Sequence, residues 1–291
     1  RLRVPMRVVV HGAGAIGAGI GGRLAGVGVE VCLVARGEHG RVMRERGLCL
    51  RTPDRDVTLR IPCVEGLAEV DWRDDDVVLV AVKLNDARAA YAELAAVAGT
   101  ERPVVMGQNG TLGSEWARQA GHQQVIDSMV WVPAERLVPG TVDLHGAPLP
   151  GAIDLASDPG LAAPLREAGF RCTVRDDLAR WQRAKWVTNL CGAAFVFDRT
   201  EWIPELQEEG HRVLAAAGFD VASAEELEAY VGDIGLAPIH GRERLPGGST
   251  AQTAQRRQPL ETRWLTGPLV ELADRVGVPV PRNRALLALA T

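Results

Sequence analysis

Over the first 176 residues, short runs of branched apolar residues alternate with stretches whose apolar positions recur at helical spacing. Residues 6–11 (MRVVVH) form an apolar run stopped by a glycine turn, which predicts a buried strand. The stretch GAGAIGAGIGGRLAGVG, starting at Gly12, predicts a turn and a helix, and residues 29–34 a second strand. A helix is predicted over 38–46, β-like fragments over 48–51 and 57–61, and a further strand in DDDVVLVAVK, ending at Lys83. ARAAYAELAAVAG predicts a helix closed by Gly99, and PVVMGQNG a strand running into a polar loop at Asn109. Alternation around a Pro-Gly turn in QVIDSMVWVPAERLVPGTVDLHG predicts strands with a hairpin. GAIDLA, a helix over 161–168 and RCTVRDD complete this half. Such alternation predicts a mostly parallel sheet with helices on both faces.

The pattern changes near Asp176. From Asp177 onward no stretch reads as a strand. Apolar residues recur at helical spacing over 178–197, 205–216, 224–230 and 259–276, and RERLPGGSTAQ reads as a Gly-rich polar loop between them. Two domains follow, 1–176 and 177–291, in line with roughly 150 residues per domain. Hydrophobic content of 46% and charged content of 24% are those of an ordinary globular chain. A net charge of -4 leaves no electrostatic footprint for nucleic acid. Apolar runs such as residues 77–82 are far shorter than the roughly 20 residues that span a bilayer. The start of the chain leads directly into a strand, without a separate apolar segment and cleavage site, as expected of a cytoplasmic protein. Five scattered cysteines and six scattered histidines suggest neither a disulfide frame nor a metal centre.

GAGAIG places Gly12, Gly14 and Gly17 in G-x-G-x-x-G spacing, with Ala15 and Ile16 between the second and third. The first glycine permits a tight turn, the second a close approach of the backbone to a pyrophosphate, and the third close packing of helix on strand. The pattern follows a strand and opens a helix, the context a dinucleotide site requires. An NAD site usually carries an acid at the end of the second strand. Here CLVARGEH offers Arg36, whose fork suits a 2′-phosphate, so NADP is favoured over NAD, with Glu38 as the contrary sign.

Of the 33 basic residues, 31 are arginine and two are lysine, Lys83 and Lys185. Arginine does not release its proton in proteins, whereas lysine can. Both lysines are therefore candidates for proton chemistry.

Taken in order, GAGAIG, Arg36, VKLND at Lys83, GQNG at Asn109, PGTVDLHG, KWVTN from Lys185 to Asn189 and ETRWLTGPLVELADRVGVPVPRNRAL resemble the motif series of the ketopantoate reductases (2-dehydropantoate 2-reductases). The resemblance runs from Arg7 to about Leu289. It implies an α/β Rossmann domain followed by an all-helical C-terminal domain like that of 6-phosphogluconate dehydrogenases, with NADPH and substrate meeting between them. It implies Lys185 as catalytic lysine, Lys83 and Asn109 toward the cofactor, and Asn109, Asn189 and Ser249 toward the substrate. Glu261, twelve residues after Ser249, falls on the family's glutamate. One position departs: the family commonly has a second asparagine a further helical turn along, and this chain has Ala193.

Hydride delivery to a ketone leaves an alkoxide, which needs a proton and charge stabilisation. Lys185 can supply both if desolvation draws its pKa down. Lys185 and Asn189, four apart, share one face of a helix, and Ala193 lies on the same stripe. Glu261 could hold the ammonium, while Ser249 and Asn109 could bond the substrate's carboxylate or carbonyl. Trp264, near Glu261, could wall the pocket. The implied reaction is NADPH-dependent reduction of a small 2-keto acid, 2-dehydropantoate first, without metal. Two other readings stay open: a sibling reductase of another keto acid or imine, and an NADP-binding sensor without turnover. The partners are a small keto acid and, as an open alternative to a monomer, a second copy in a homodimer.

Overall fold

The computed structural model describes residues 6–290; residues 1–5 and 291, which the predicted domains include, lie outside the described residues. The strands are β1 Arg7–His11, β2 Glu30–Val34, β3 Leu48–Arg51, β4 Asp56–Leu59, β5 Cys63–Val64, β6 Asp76–Val80, β7 Pro103–Met106, β8 Gln124–Ile126, β9 Ser128–Trp131, β10 Ala134–Glu135, β11 Thr141–Leu144 and β12 Ala152–Leu155. Helices α1 Ala15–Gly26, α2 Gly37–Arg46, α3 Leu84–Ala98, α4 Leu112–Gln119 and α5 Ala162–Glu167 are interleaved with them. Then come α6 Leu178–Leu190, α7 Gly192–Val196, α8 Ile203–Ala216, α9 Ala224–Val231, α10 Gly248–Gln255, α11 Thr262–Val276 and α12 Pro281–Leu289.

Contacts divide the chain into two compact units. The first holds the residues through Gln108, Gly113–Leu178 and Asp233–Arg244; the second holds Asn109–Leu112, Ala179–Gly232 and the residues from Leu245 onward.

The first unit is Rossmann-like. Six parallel strands lie in the order β5-β2-β1-β6-β7-β8. The order reverses beside β1, the switch point at which open α/β sheets bind ligands outside their strand C-termini. His11 pairs with both Val34 and Val80, so β1, β2 and β6 end level, and the chain leaves them into Gly12, Arg36 and Lys83. A second sheet, β10-β11-β3-β4, packs over α1. That helix is gripped from two sides because its glycines admit close neighbours. A Cβ at Gly21 would stand 2.9 Å from Leu33 Cδ2, and one at Gly19 the same distance from Leu144 Cδ2. The buried Val8, Val10, Leu33, Leu48, Val142 and Leu144 fill the space around it. Each such side chain contributes about 1.5–3 kcal/mol by leaving water.

The second unit is helical throughout, and among the described residues no strand follows β12. Ser223 caps α9 by accepting from Glu226 N–H, while the Glu226 carboxylate accepts from Ser223 N–H at 2.7 Å.

The structure corrects the sequence expectation in several places. The strand expected to reach Lys83 ends at Val80, and the following backbone turns against Gly12. The helix expected over 178–197 breaks at Cys191. There Cys191 N–H bonds Thr188 O and Ala194 N–H bonds Cys191 O, tighter steps than the i→i−4 ladder. The loop read in RERLPGGSTAQ becomes α10 from Gly248, because Gly247 turns left-handed (φ 78) and starts it. Helices α4 and α12, of eight and nine residues, are not among the predicted elements.

Residues 233–244 leave the helical run and join the first unit. Ala147 N–H bonds Gly235 O at 3.1 Å, and Ala237 N–H bonds His145 O at 2.8 Å. Arg242 donates to the buried carboxylates of Glu135, at 2.6 Å, and Asp143. Paired charges of this kind are costly to bury alone, so each partner requires the other.

Candidate active site

In the first unit, the glycine loop and Arg36 follow the ends of β1 and β2. Gly12 N–H and Ala13 N–H both bond Val34 O, at 3.2 and 3.0 Å, which ties the glycine loop to the strand bearing Arg36 two residues on. Gly12 has φ 92, and a Cβ there would stand 2.6 Å from Val82 N. A Cβ at Gly17 would stand 2.5 Å from Gly12 O. Both must be glycine for the turn and the helix to close. Gly14 differs, because a Cβ there would meet nothing within 4 Å. Space lies open in front of it, and it precedes α1 without a side-chain cap. The first-turn N–H groups of Ala15, Ile16 and Gly17 have no acceptor within the helix, and the positive end of its dipole favours an anion. This cradle fits a pyrophosphate.

Arg36 is the N-cap residue of α2, with its side chain 78% exposed and 3.9 Å from Asp86 Oδ2. So loose a surface pair holds the guanidinium weakly and leaves it available to a ligand phosphate. Lys83 is the N-cap residue of α3, half-buried, its carbonyl accepting from Asp86 N–H at 2.9 Å.

In the second unit, Lys185 lies within α6 and is 9% exposed. Its Nζ donates to Asn109 Oδ1 at 2.8 Å. Because an ammonium or amine proton needs an acceptor, this contact orients the Asn109 amide and leaves its Nδ2 as a donor. Burial pushes the Lys185 ammonium down from 10.5 to about 7, where it can give up a proton. Asn189, one turn along α6, has a buried Nδ2 without a hydrogen-bond partner among the described residues. Ser249 lies in the first turn of α10, where its carbonyl accepts from Thr253 Oγ1 at 2.7 Å. That helix presses on α7, since a Cβ at Gly192 would stand 2.5 Å from Thr250 Oγ1.

Glu261 is the buried N-cap residue of α11. One turn later, Leu265 O accepts from Trp186 Nε1 at 2.8 Å, which ties the start of α11 to the residue after Lys185. Trp264 follows Glu261 in the same turn, its N–H on Glu261 O at 2.8 Å.

Ala193 does not continue the Lys185–Asn189 stripe as an unbroken helix would place it. It lies in α7 beyond the break at Cys191, is 3% exposed, and packs with Cys191, Ala194, Leu206 and Leu286. An asparagine there would put its amide into an apolar cluster.

Among the described residues, Glu135, Asp143 and His145 form the one acid–histidine group with donor atoms close enough for a metal. Arg242 already donates to both carboxylates, so their charge is met by a guanidinium. Sequence reasoning missed His39, which is buried between Ala13 and Gly140. Its only local signal is a histidine in a polar helix, and no spacing rule singles it out.

The family model described as Ketopantoate reductase PanE/ApbA matches residues 8–159, and that of the Ketopantoate reductase PanE/ApbA C terminal matches residues 177–291. The 2-dehydropantoate 2-reductase of Mesorhizobium japonicum is 26% identical, over 98% of this chain and 96% of the relative. The crystal structure of a PanE/ApbA family ketopantoate reductase from Ralstonia eutropha JMP134 is 27% identical, with a TM-score of 0.80 over 98% of this chain and 97% of that one. The ternary structure of D-mandelate dehydrogenase with NADH and anilino(oxo)acetate reaches the same TM-score and coverage at 20% identity and shares the fold.

Proposed function

The chain belongs to the ketopantoate reductase family, and on that premise we propose that it reduces a small 2-keto acid with NADPH, 2-dehydropantoate being the first substrate to test. It is a pyridine-nucleotide-dependent oxidoreductase acting on a CH-OH/C=O pair. The observation that carries the mechanism is the buried Lys185 Nζ on Asn109 Oδ1, with its pKa near 7.

Gly12, Gly14, Ala15, Ile16 and Gly17 would hold the dinucleotide phosphates, and Arg36 would select NADP by forking onto the 2′-phosphate. Lys83 and Asn109 are the further residues that the family's motif series implies for the cofactor. The bound reduced nicotinamide supplies the hydride. Lys185 polarises the ketone oxygen as an ammonium and then gives it a proton, a role that a pKa near working pH serves best. Asn109, its Oδ1 occupied by Lys185, offers Nδ2 to the substrate. Asn189 Nδ2 and Ser249 Oγ supply further donors, for the substrate's hydroxyl and carboxylate oxygens. Glu261 steadies the lysine's charge.

The absence of the family's second asparagine leaves a second reading within the same chemistry. The apolar surroundings of Ala193 provide no amide for a hydroxylated tail, as a sibling reductase of a more apolar keto acid would require. The test is NADPH oxidation against a panel of 2-keto acids that includes 2-dehydropantoate. The highest kcat/KM on 2-dehydropantoate supports the first reading, and a clear preference for an apolar keto acid supports the second. Turnover of none of them sinks both.

A further inference from the structure

His39 closes the CLVARGEH stretch that carries Arg36, where no motif gives it a role, yet it is built into the glycine loop. It sits in the first turn of α2 and is 4% exposed. Its Nε2 is 2.9 Å from Ala13 O, and its Nδ1 accepts from Gly140 N–H at 2.8 Å. A carbonyl can only accept and a backbone N–H can only donate. The two contacts therefore fix the ring: Nε2 carries the proton, Nδ1 keeps its lone pair, and the imidazole is neutral.

Both ends of this bridge are themselves held. Gly140 has φ 76, and a Cβ there would stand 2.3 Å from Val42 Cγ1, one turn along α2 from His39. Its carbonyl accepts from Cys49 N–H at 2.8 Å. The β10–β11 turn is thus a fixed point. At the other end, Ala13 N–H is spent on Val34 O and Gly14 N–H on Gly12 O at 2.7 Å. The Ala13 carbonyl takes its hydrogen bond from the histidine.

We propose that His39 is a positioning residue for the dinucleotide: by holding Ala13 O against the anchored Gly140, it sets the peptide that leads into Gly14 and so aims the first N–H groups of α1. This rests on the dinucleotide reading of the glycine loop. The residue is buried, with both ring nitrogens on backbone groups. It acts through the Ala13 backbone, and removing it lets that peptide rotate, so the cradle must be ordered again at each binding event. An imidazole is suited to the task because one rigid ring can donate to one backbone and accept from another across two elements.

The two contacts can be separated. His39→Gln places a donor where Nε2 stands and keeps the Ala13 bond. His39→Asn places an acceptor where Nδ1 stands and keeps the Gly140 bond. NADPH binding is measured by fluorescence titration of the full chain, alongside urea stability and the KM of the keto acid at saturating NADPH. The expected result is an NADPH Kd roughly tenfold weaker in His39→Asn and within about threefold of the unmodified protein in His39→Gln. Keto-acid KM and kcat should be unchanged in both. Equal losses in the two variants that follow their loss of stability would mean a purely structural histidine and overturn the proposal, as would unchanged affinity in His39→Asn.

If neither variant folds, the unmodified protein still decides. Its His39 nitrogen shifts should show a neutral ring protonated at Nε2 that responds to NADPH; protonation at Nδ1, or no response, overturns the proposal. A protein that binds no dinucleotide at all removes the underlying reading itself, an outcome distinct from either variant pattern.

Discussion

Lys185 Nζ donates to Asn109 Oδ1 at 2.8 Å, so a residue early in the chain holds the only lysine of the helical unit. The contact places a titratable amine in a buried position with a polar partner that stabilises either protonation state. Burial draws its pKa to about 7.

This fixes the sign of two pH effects. On the proposed mechanism reduction needs the protonated amine, so kcat/KM should fall as pH rises through about 7. Lys185→Arg keeps the charge but has no mobile proton; it should lose on the order of a hundredfold or more in kcat with NADPH affinity nearly unchanged, and the high-pH limb should vanish. Full activity in Lys185→Arg would reduce the residue to a point charge. For stability, the folded pKa lies below the unfolded value of 10.5, so the unfolded chain binds more protons between the two. The resulting penalty is largest below about pH 7 and fades as pH rises toward 10.5. Lys185→Met should therefore be more stable at neutral pH, by a few kcal/mol on the linkage scale, with the gain shrinking by pH 10. Urea unfolding at two pH values reads it directly.

Arg36 is exposed and only loosely paired with Asp86, so its removal costs little stability. On the proposed reading its value is to a 2′-phosphate. NADPH should bind at least about tenfold tighter than NADH, a difference of 1.4 kcal/mol or more, and Arg36→Ala should erase it. Equal affinities in the unmodified protein would remove Arg36 from the cofactor site.

The glycines of the loop should separate by variant. Gly12→Ala drives a methyl onto Val82 N at a left-handed φ, and it should destabilise by more than 1 kcal/mol. Gly14→Ala meets no protein atom within 4 Å, so stability should change by less than about 0.5 kcal/mol while NADPH affinity falls at least about tenfold. Unchanged affinity in Gly14→Ala would place the pyrophosphate elsewhere.

The break at Cys191 changes what Ala193 can report. From an unbroken helix, Ala193→Asn would restore a substrate contact. In the apolar cluster with Leu206 and Leu286, the new amide instead costs about 1–3 kcal/mol and brings no gain in 2-dehydropantoate turnover. A stable and faster Ala193→Asn enzyme would show that the side chain reaches substrate after all.

Legibility follows the range of the forces involved. Strands β1, β2 and β6 and the Gly12–Gly17 turn are written in local apolar runs and in backbone freedom, which neighbouring residues decide among themselves. The character of Lys185 as a candidate was likewise local, resting on its rarity among 31 arginines. Helix α10 was not legible, because its start depends on Gly247 turning left-handed against Phe195. Nor was the union of residues 233–244 with the first unit, which Arg242 secures on Glu135 and Asp143 about a hundred residues away. The sequence by itself determined the alternation of elements, the glycine turn and the residue types able to carry a reduction. Only the tertiary structure decided that Lys185 is desolvated, that Ala193 is buried among apolar side chains, and that His39 is neutral between Ala13 and Gly140. Burial and hydrogen-bond partnership are properties of what the rest of the chain brings alongside a residue, and no local pattern encodes them.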